Sequence, residues 1–276
     1  MKLYDFRKKQ LIIFQEKADS SFWDSHWRID KNIKNKIFLK KDSLITRVTR
    51  KFLRPQAGPI LEGGSGSGQN VAALKYYGYQ VIGIDYASQT VRALNKWMPE
   101  LDIRHGDVRK LPFKDNFFSG YWSLGVIEHF FSGYRTIALE IERVVKTGGY
   151  LFLTFPFMSP LRKIKAGLGF YLPWSKTRVS SLDNFYQYIL NKELVIKNFQ
   201  SLNFKLVQTM PFDDIKGVKN EIKFLRPLFQ RLLDHPGRGI LKRAVPKIIF
   251  GASSLFTPIT GHAVLLIFKK LNNNKQ

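Results

Sequence analysis

The chain has 276 residues, 44% hydrophobic and 14% aromatic, so it can form a packed core and is too apolar for wholesale disorder. It has no cysteine, which excludes disulfides, cysteine metal sites and a thiol nucleophile. The formal net charge is +24, and it lies in the flanks, because residues 61–155 hold 10 basic and 9 acidic side chains. Such flanks attract nucleic acid, anionic lipid or phosphorylated substrates, unless they are ordinary solvated faces.

Residues 1–58 are predicted to form a helical lead-in. The apolar run at residues 11–14 is too short for a secretory signal, so we expect a cytoplasmic protein. In the stretch SFWDSHW, Trp23 and Trp27 stand four residues apart and share one face of a helix.

Residues 59–156 alternate short apolar strands with helical stretches. Strands are predicted at 59–64, 80–85, 102–107, 118–125 and 149–156, with helices at 69–77, 88–97 and 134–145. This alternation predicts a parallel sheet with helices on both faces.

A glycine-rich run, EGGSGSG, follows the first strand and precedes the first helix. Its glycines let the backbone turn sharply and approach a ligand closely, and the start of the helix offers free amide groups and a positive dipole end. The G-x-G-x-x-G spacing of dinucleotide-binding enzymes fails, because Gln69 stands where the third glycine belongs.

The run instead resembles the first signature of class I S-adenosylmethionine-dependent methyltransferases, an acidic residue followed by x-G-x-G-x-G. The matching positions are Glu62, Gly64, Gly66 and Gly68. Three further signatures follow in order, namely the acid that ends VIGID, the segment HGDVRKLPFKDNFFSGYWS and the turn VVKTGG before a strand. The resemblance covers about residues 58–156 and implies an α/β, Rossmann-like fold. Its sheet would have seven mostly parallel strands, the last one antiparallel, with helices on both faces.

The resemblance also implies S-adenosylmethionine as the cofactor and gives roles to particular residues. Asp85 would accept hydrogen bonds from both ribose hydroxyls, and Asp107 would accept the adenine amino group beside the backbone amide of Val108. Ser123 would face the methionine part, and aromatic residues of the lead-in would close over the cofactor. The predicted cofactor-binding residues are Glu62, Gly64, Gly66, Gly68, Asp85, Tyr86, Asp107, Val108 and Ser123.

Methylation of a hydroxyl requires a base that removes its proton, usually His, Asp or Glu. His129 follows the fourth strand, at the sheet edge where ligands bind in such folds, and it is the first candidate. His26 is the second, and a packing role stays open for both. No metal site is predicted, because histidine-rich metal spacing is absent. The stretch SLGV after the fourth strand lacks the Pro-Pro-aromatic pattern of methyltransferases that act on base amino groups.

Residues 157–276 are predicted to hold acceptor-specificity insertions and two late strands, at 203–210 and 262–270. Three basic stretches in this part repeat apolar residues on one helical face, at 160–172, 224–233 and 240–250. They predict a basic helical cap that either packs on the core or rests on an anionic membrane surface at the inner face. The apolar segment 248–268 is predicted as a loop and strand rather than a transmembrane helix, since serine, proline and glycine interrupt it.

The predicted domains are therefore a lead-in at 1–58, a cofactor-binding core at 59–156 and acceptor insertions at 157–276. The predicted enzyme transfers a methyl group from S-adenosylmethionine to a small-molecule or lipid/sugar-linked acceptor, at oxygen in preference to nitrogen or carbon. One alternative is an RNA or other nucleic-acid methyltransferase that uses its basic flanks as a phosphate-binding surface. The other is a cofactor-binding partner protein without turnover.

Overall fold

The structure is a computed structural model that describes residues 1–27, 29, 30, 32, 33, 42–178, 182–221 and 257–272. The strands are β1 (Lys2–Asp5), β2 (Gln10–Phe14), β3 (Ile60–Gly63), β4 (Val81–Asp85), β5 (Asp102–His105), β6 (Phe118–Leu124), β7 (Val145–Pro156), β8 (Leu172–Pro173), β9 (Phe185–Ile189), β10 (Phe204–Phe212) and β11 (Ala263–Lys270). The helices are α1 (Ser20–Trp27), α2 (Leu44–Phe52), α3 (Gln69–Tyr76), α4 (Ser88–Trp97), α5 (Arg135–Val144), α6 (Pro160–Gly167), α7 (Lys192–Gln200) and α8 (Asp214–Glu221).

The larger sheet has seven strands in the order β10-β11-β7-β6-β3-β4-β5. Strand β11 is antiparallel to both of its neighbours, and the pairs among β3 to β7 are parallel. The prediction of a mostly parallel sheet whose last strand is antiparallel is confirmed. The strand order reverses between β3 and β6, which makes the carboxyl edge at that point the expected ligand crevice.

Helices cover both faces of this sheet because its strands are apolar on both sides. Ile60 belongs to a buried cluster that includes Val71 of α3 and Val91 of α4. The next residue, Leu61, belongs to a second cluster that includes Ile137 and Ile141 of α5. Successive residues of a strand point to opposite faces, so β3 lies between two buried cores. The glycine-rich turn directly follows this strand.

A smaller sheet has four strands in the order β8-β1-β2-β9. The predicted helical lead-in is therefore wrong at its start, because β1 and β2 form an antiparallel hairpin. The hairpin turn is stabilised locally: Lys9 adopts a left-handed backbone conformation with φ of 51°, and Asp5 Oδ1 accepts hydrogen bonds from the amides of Arg7 and Lys8. Within the described residues, α6 lies in the first of the stretches predicted to form the basic helical cap, and the small sheet adds strands β8 and β9 to the same segment.

The predicted amphipathic stretches at 224–233 and 240–250 lie outside the described residues. In the described part of the chain, no helix is long and apolar enough to cross a membrane. The three domain boundaries stay predictions, although the small sheet joins strands from the first and third of the predicted segments.

Candidate functional site

A cavity of about 540 Å³ opens at the carboxyl edge of the seven-stranded sheet. It lies beyond the ends of β3, β4, β5 and β6, at the point where the strand order reverses. One wall comes from the loops after β3, β4 and β5. The other comes from the small sheet, α1 and the loop after β6. The lining residues include Gly64, Asp85, Tyr86, Asp107, Val108 and His129 of the predicted set, together with Lys17, Trp23, Trp27, Arg109, Phe130, Phe131 and Phe185.

The glycine-rich turn leaves no room for side chains at two positions. Gly64 has a φ of 80°, and a Cβ there would lie 2.5 Å from Cγ2 of Val126. Gly66 has a φ of 49°, and a Cβ there would lie 2.6 Å from the ring of Trp27. Both positions therefore require glycine for conformation and for space, and the backbone of the turn lies directly under the indole that lines the cavity.

Glu62 holds the turn from beneath instead of lining the cavity. It is 1% exposed, and its Oε1 accepts a 2.7 Å hydrogen bond from Nδ2 of Asn70 in α3. Burial raises the pKa of this carboxyl to about 8, with a further contribution from the nearby Asp85, while the Asn70 hydrogen bond works the other way. Its Oε2 has no hydrogen-bond partner among the described residues. Glu62 thus ties β3 to α3, and Gly68 ends the turn immediately before that helix.

Asp85 lies at the end of β4, and its carboxylate lines the cavity. Oδ2 accepts a hydrogen bond from the amide of Gly66 at 2.6 Å, and Oδ1 accepts one from the amide of Ala87 at 2.8 Å. Burial raises the pKa of Asp85, and these two amide bonds counteract part of that effect. Each carboxylate oxygen has two acceptor positions, so each can still accept one hydroxyl from a ligand.

Asp107 lies just after β5 and is joined to an arginine that the sequence analysis did not include. Arg109 donates to both carboxylate oxygens of Asp107, with its shortest contact at 2.6 Å. Burial would raise the pKa of Asp107, but the Arg109 hydrogen bonds hold it below its ordinary value. The guanidinium also lies 5.3 Å from the ring centre of Phe130. The contact between Arg109 and Phe130 links the loop after β5 to the opposite wall. Val108 lies between Asp107 and Arg109 in the chain.

Helix α1 places two stacked indoles over the cavity. The rings of Trp23 and Trp27 are 6.3 Å apart and nearly parallel, as their spacing in the sequence predicted, and both line the cavity. Asp24 connects the helix to α4, because its Oδ1 accepts from the amide and hydroxyl of Thr90 at 2.8 and 3.0 Å. His26, the second candidate base, is exposed and packs edge-on against Trp27, and it is not among the lining residues.

His129 lines the cavity at the end of a short 3-10 turn after β6. Its Nδ1 lies 2.8 Å from the carbonyl oxygen of Tyr186 in β9. A carbonyl can only accept, so Nδ1 carries the proton and Nε2 is the nitrogen with a free lone pair. Burial lowers the pKa of His129 to about 4, and the hydrogen bond to Tyr186 offsets part of this shift. The ring is therefore neutral at neutral pH and is held edge-on by Trp23, 5.0 Å away.

Two buried groups lie outside the lining. Ser123, predicted to face the cofactor, is 1% exposed at the end of β6, and its hydroxyl has no partner among the described residues. Glu128, beside His129, is 2% exposed, and burial raises the pKa of its carboxyl to about 8. Neither lines the cavity.

The wall opposite the glycine-rich turn is mainly aromatic. Phe130 and Phe131 follow His129, and Phe185 begins β9. The rings of Phe131 and Phe185 are 5.2 Å apart. Lys17 adds a positive charge to the lining. Sequence reasoning missed these residues because the small sheet brings them together from distant segments, and no short motif marks them.

Comparison with known proteins assigns this site to a class. Residues 61–153 match the family model described as a methyltransferase domain. A Mycolicibacterium smegmatis protein described as a probable S-adenosylmethionine-dependent methyltransferase is 32% identical over 97 residues, 35% of this chain and 37% of that protein. The chain thus spans little more than a third of the length of the curated relative that it matches. Residues 61–153 match a methyltransferase domain, which confirms over that segment the resemblance predicted from the sequence. The description of the matched relative names S-adenosylmethionine, the cofactor that the resemblance implies.

Solved structures agree with the fold. One chain of the complex between the Haloferax volcanii Trm112 methyltransferase activator and a methyltransferase superposes with a TM-score of 0.57, at 14% identity, covering 91% of this chain and 98% of that one. The cyclase SpnF superposes with a TM-score of 0.54, at 16% identity, covering 94% of this chain and 98% of that one. At these identities the likeness shows the fold alone, a Rossmann-like methyltransferase fold.

The site geometry fits S-adenosylmethionine on its own evidence. Gly64 lines the cavity without a side chain, so a ligand can approach the backbone of the turn closely. Asp85 also lines the cavity, and its carboxylate is an acceptor that suits ribose hydroxyls. The amide of Val108, near the cavity and next to Asp107, suits the edge of an adenine ring.

Proposed function

We propose that this protein transfers the methyl group of S-adenosylmethionine to an oxygen of a small-molecule or lipid/sugar-linked acceptor. The observation that carries the proposal is a cavity with two unlike walls, one polar and glycine-rich, the other aromatic, and a neutral His129 between them. A polar nucleoside and an apolar acceptor can then meet in one enclosed space, and positioning of this kind supplies much of the rate in displacement reactions.

The cofactor contributes an activated methyl group, and the chain contributes orientation. Asp85 would hold the ribose hydroxyls, the amide of Val108 would hold the adenine edge, and the backbone at Gly64 would lie along the cofactor. Asp107 would accept the adenine amino group by exchanging one of its contacts with Arg109. Trp23 and Trp27 would exclude water from above, because their indoles cover the turn. Exclusion of water strengthens each polar contact within the cavity.

His129 would remove the proton of the acceptor hydroxyl. Its Nε2 has the free lone pair because Nδ1 donates to the carbonyl of Tyr186. Burial keeps the imidazole neutral, with a pKa of about 4, so Nε2 carries no proton throughout the neutral range, and the same burial lowers the basicity of the ring. Transfer to an oxygen releases one proton for each methyl group gained, and Nε2 would take it as the oxygen becomes acidic on methylation.

The body of the acceptor would lie against Phe130, Phe131 and Phe185. These rings favour an apolar or planar group, while Lys17 and Asp183 in the same lining offer charges of both signs to a polar part of the acceptor. An amphiphilic acceptor with an apolar part and a polar part fits both features.

The reaction itself must be tested apart from the fold, because the cyclase SpnF has the same architecture. Isothermal titration with S-adenosylmethionine and S-adenosylhomocysteine should show micromolar binding in the wild type and loss of that binding in Asp85→Ala. Absence of binding to a folded wild-type protein would refute the cofactor assignment. Turnover would then be sought with lipid extracts, and binding of the cofactor without turnover on any extract would favour a partner protein.

The role of His129 has a matched test in His129→Asn. The asparagine Nδ2 can still donate to the Tyr186 carbonyl, but it has no basic nitrogen. We expect kcat to fall by about 10²-fold or more, with cofactor affinity unchanged. Wild-type kcat/KM should also show no acid-side loss from this group between pH 8 and 6, because its pKa is about 4. Unchanged turnover in the variant would exclude His129 as the base.

A further inference from the structure

Helix α6 buries a charged side chain and exposes an aliphatic one, which is the reverse of an ordinary surface helix. It buries Arg162, which is 0% exposed, and it exposes Ile164, which is 58% exposed. The two residues are separated by about 200° around the helix axis, so they point in nearly opposite directions. Leu168, just after the helix and four residues beyond Ile164, is 69% exposed. The aliphatic side of α6 therefore faces outward.

Buried polar contacts fix this orientation. Arg162 donates to Glu221 Oε1 at 3.1 Å and to the carbonyl oxygens of Phe157 and His262 at 2.8 and 3.0 Å. Glu221 also accepts hydrogen bonds from Lys165 at 2.8 Å and from Tyr171 at 2.6 Å. Rotation of α6 to bury its aliphatic side would expose this network and separate Glu221 from Arg162, the more deeply buried of its two partners in α6. The outward apolar side is thus a fixed property of the fold.

Adjoining elements add more exposed apolar side chains. Phe170 is 68% exposed in the turn after α6, and Leu172 is 56% exposed in β8. Strand β8 pairs with β1, and Phe6, directly after β1, is 63% exposed. Leu172 pairs with Leu3 and therefore points to the other side of the small sheet. The α6–β8 face is defined here as the exposed residues Phe6, Ile164, Leu168 and Phe170. Large exposed apolar groups on neighbouring elements mark interaction surfaces.

The surroundings of this face are basic. Residues 160–178 contain five Lys and Arg residues and no Asp or Glu. Lys163, Lys176 and Arg178 are exposed in this stretch. The turn between β1 and β2 adds three consecutive exposed cations at residues 7–9. The face thus combines apolar side chains with positive charge on protruding segments.

We infer that the α6–β8 face docks on the surface of an anionic lipid bilayer. Apolar side chains that rise from basic surroundings enter the headgroup region, while lysine and arginine contact anionic lipids. A nucleic acid would match the charge but would leave Ile164, Leu168 and Phe170 in water. The bilayer surface satisfies both the charge and the apolar groups.

The small sheet separates this face from the cavity. Tyr4 and Leu11, on one side of the sheet, belong to the buried cluster that includes Ala166 of α6. Phe14, on the other side, stacks on Trp174, whose ring lies 6.4 Å from that of Phe131 in the cavity lining. The docking inference itself does not depend on the proposed reaction.

The test is flotation with vesicles of phosphatidylglycerol and phosphatidylcholine in equal parts, compared with vesicles of phosphatidylcholine alone. The wild type should float with the anionic vesicles. The variant Ile164→Ser/Leu168→Ser/Phe170→Ser should bind the anionic vesicles at least about tenfold more weakly than the wild type, because it loses three apolar groups. The matched control, Tyr76→Ser/Leu139→Ser/Val207→Ser, removes three exposed apolar groups from other parts of the surface and should bind like the wild type.

Folding of each variant is checked by circular dichroism and by titration with S-adenosylmethionine. Failure of the wild type to float would overturn the inference, as would equal flotation of the folded α6–β8 variant. Equal binding to neutral vesicles would refute the anionic requirement. A wild-type dimer that becomes a monomer in the α6–β8 variant would assign this face to a second copy of the chain instead.

Discussion

The two walls of the cavity are built in opposite ways. The cofactor wall consists of short loops that directly follow consecutive strands, so Gly64, Asp85 and Asp107 come from one continuous part of the chain. The acceptor wall is held by the small sheet, in which Leu11 of β2 pairs with Ile189 of β9. The cofactor wall depends on the backbone conformation of its loops. The acceptor wall depends on pairing between strands that are far apart in the chain and on buried charged groups. The two walls should therefore respond differently to substitution.

The largest effect is expected on the acceptor side, in Arg162→Met. The change leaves the buried Glu221 without its fully buried partner. It also removes one donor from the carbonyl oxygens of Phe157 and His262, each of which keeps a backbone amide donor. Breaking one side of a buried pair costs about 3–5 kcal/mol, and urea unfolding should show a loss of about 3 kcal/mol, since Lys165 and Lys2 still contact Glu221. Lys163→Met, on the exposed side of α6, is the control. A loss below about 1 kcal/mol would show that buried charge does not hold this wall.

The second effect concerns the cofactor wall. In Gly64→Ala, the left-handed backbone is strained and the new methyl group meets Val126 Cγ2 at 2.5 Å. Gly133→Ala is the matched control, because Gly133 has a φ of 91° with no atom within 4 Å of the new Cβ. We expect Gly64→Ala to cost about 2 kcal/mol more than the control and to weaken cofactor binding. Addition of Val126→Ala should recover part of the difference, and equal costs in the two glycine variants would contradict this account.

The third effect is a pH dependence beneath the glycine-rich turn. The folded-state pKa of Glu62 is about 8, raised from 4.5, so the folded protein holds a proton there that the unfolded chain has released. Stability from this group therefore decreases as pH rises through this interval. Glu62→Gln keeps an acceptor for Asn70 and removes the titration. The free energy of unfolding of the variant minus that of the wild type should therefore rise by about 1.4 kcal/mol when the pH is raised from 6 to 7.

The control for Glu62 is Glu140→Gln. Arg143 hydrogen bonds hold the pKa of Glu140 below its ordinary value, so this carboxyl is ionised in both states at pH 6 and 7 and its stability difference should stay constant. A constant difference for Glu62→Gln as well would show that the carboxyl is ionised in the folded protein.

The smallest effect is expected where α1 joins the two walls. Asp24→Ala removes two acceptor contacts to Thr90, worth about 1 kcal/mol. Hydrogen exchange should show faster exchange of the Thr90 amide and of α1 with little change in the large sheet. Ser25→Ala, which loses only a contact to Phe22 within the helix, is the control. Unchanged exchange in Asp24→Ala would mean that packing of the indoles alone holds α1.

The sequence predicted the cofactor wall well because its determinants are local. The strands of the central segment, the turn at Gly64 and the carboxylate at Asp85 each follow from neighbouring residues, and the structure has them in the predicted order along the sheet edge. Their contacts with a cofactor stay predictions. Glu62 and Ser123 were predicted to contact the cofactor but lie beneath the cavity, because nothing in a strand sequence tells which end residue reaches past the sheet edge. The same limit applied to His129, whose tautomer depends on the carbonyl of Tyr186 in another strand.

The acceptor wall could not be predicted because its pairings are remote. The short stretches that form β1 and β2 have no periodicity long enough to distinguish a hairpin from the start of a helix. Helix α6 was recognised as amphipathic, but its orientation follows from Glu221, far along the chain. A hydrophobic pattern indicates that a helix has two sides, and only the tertiary partners decide which side is buried.

The pairing of β2 with β9 also has a consequence for the growing chain. The hairpin is synthesised first, yet its neighbour is made about 170 residues later, which takes roughly 10–30 s at about 5–20 residues per second. During that interval the free edge of β2 has no strand to pair with, and contacts between such distant residues form slowly. The acceptor wall should therefore be the last part of the molecule to fold on the ribosome, and the part for which a chaperone matters most.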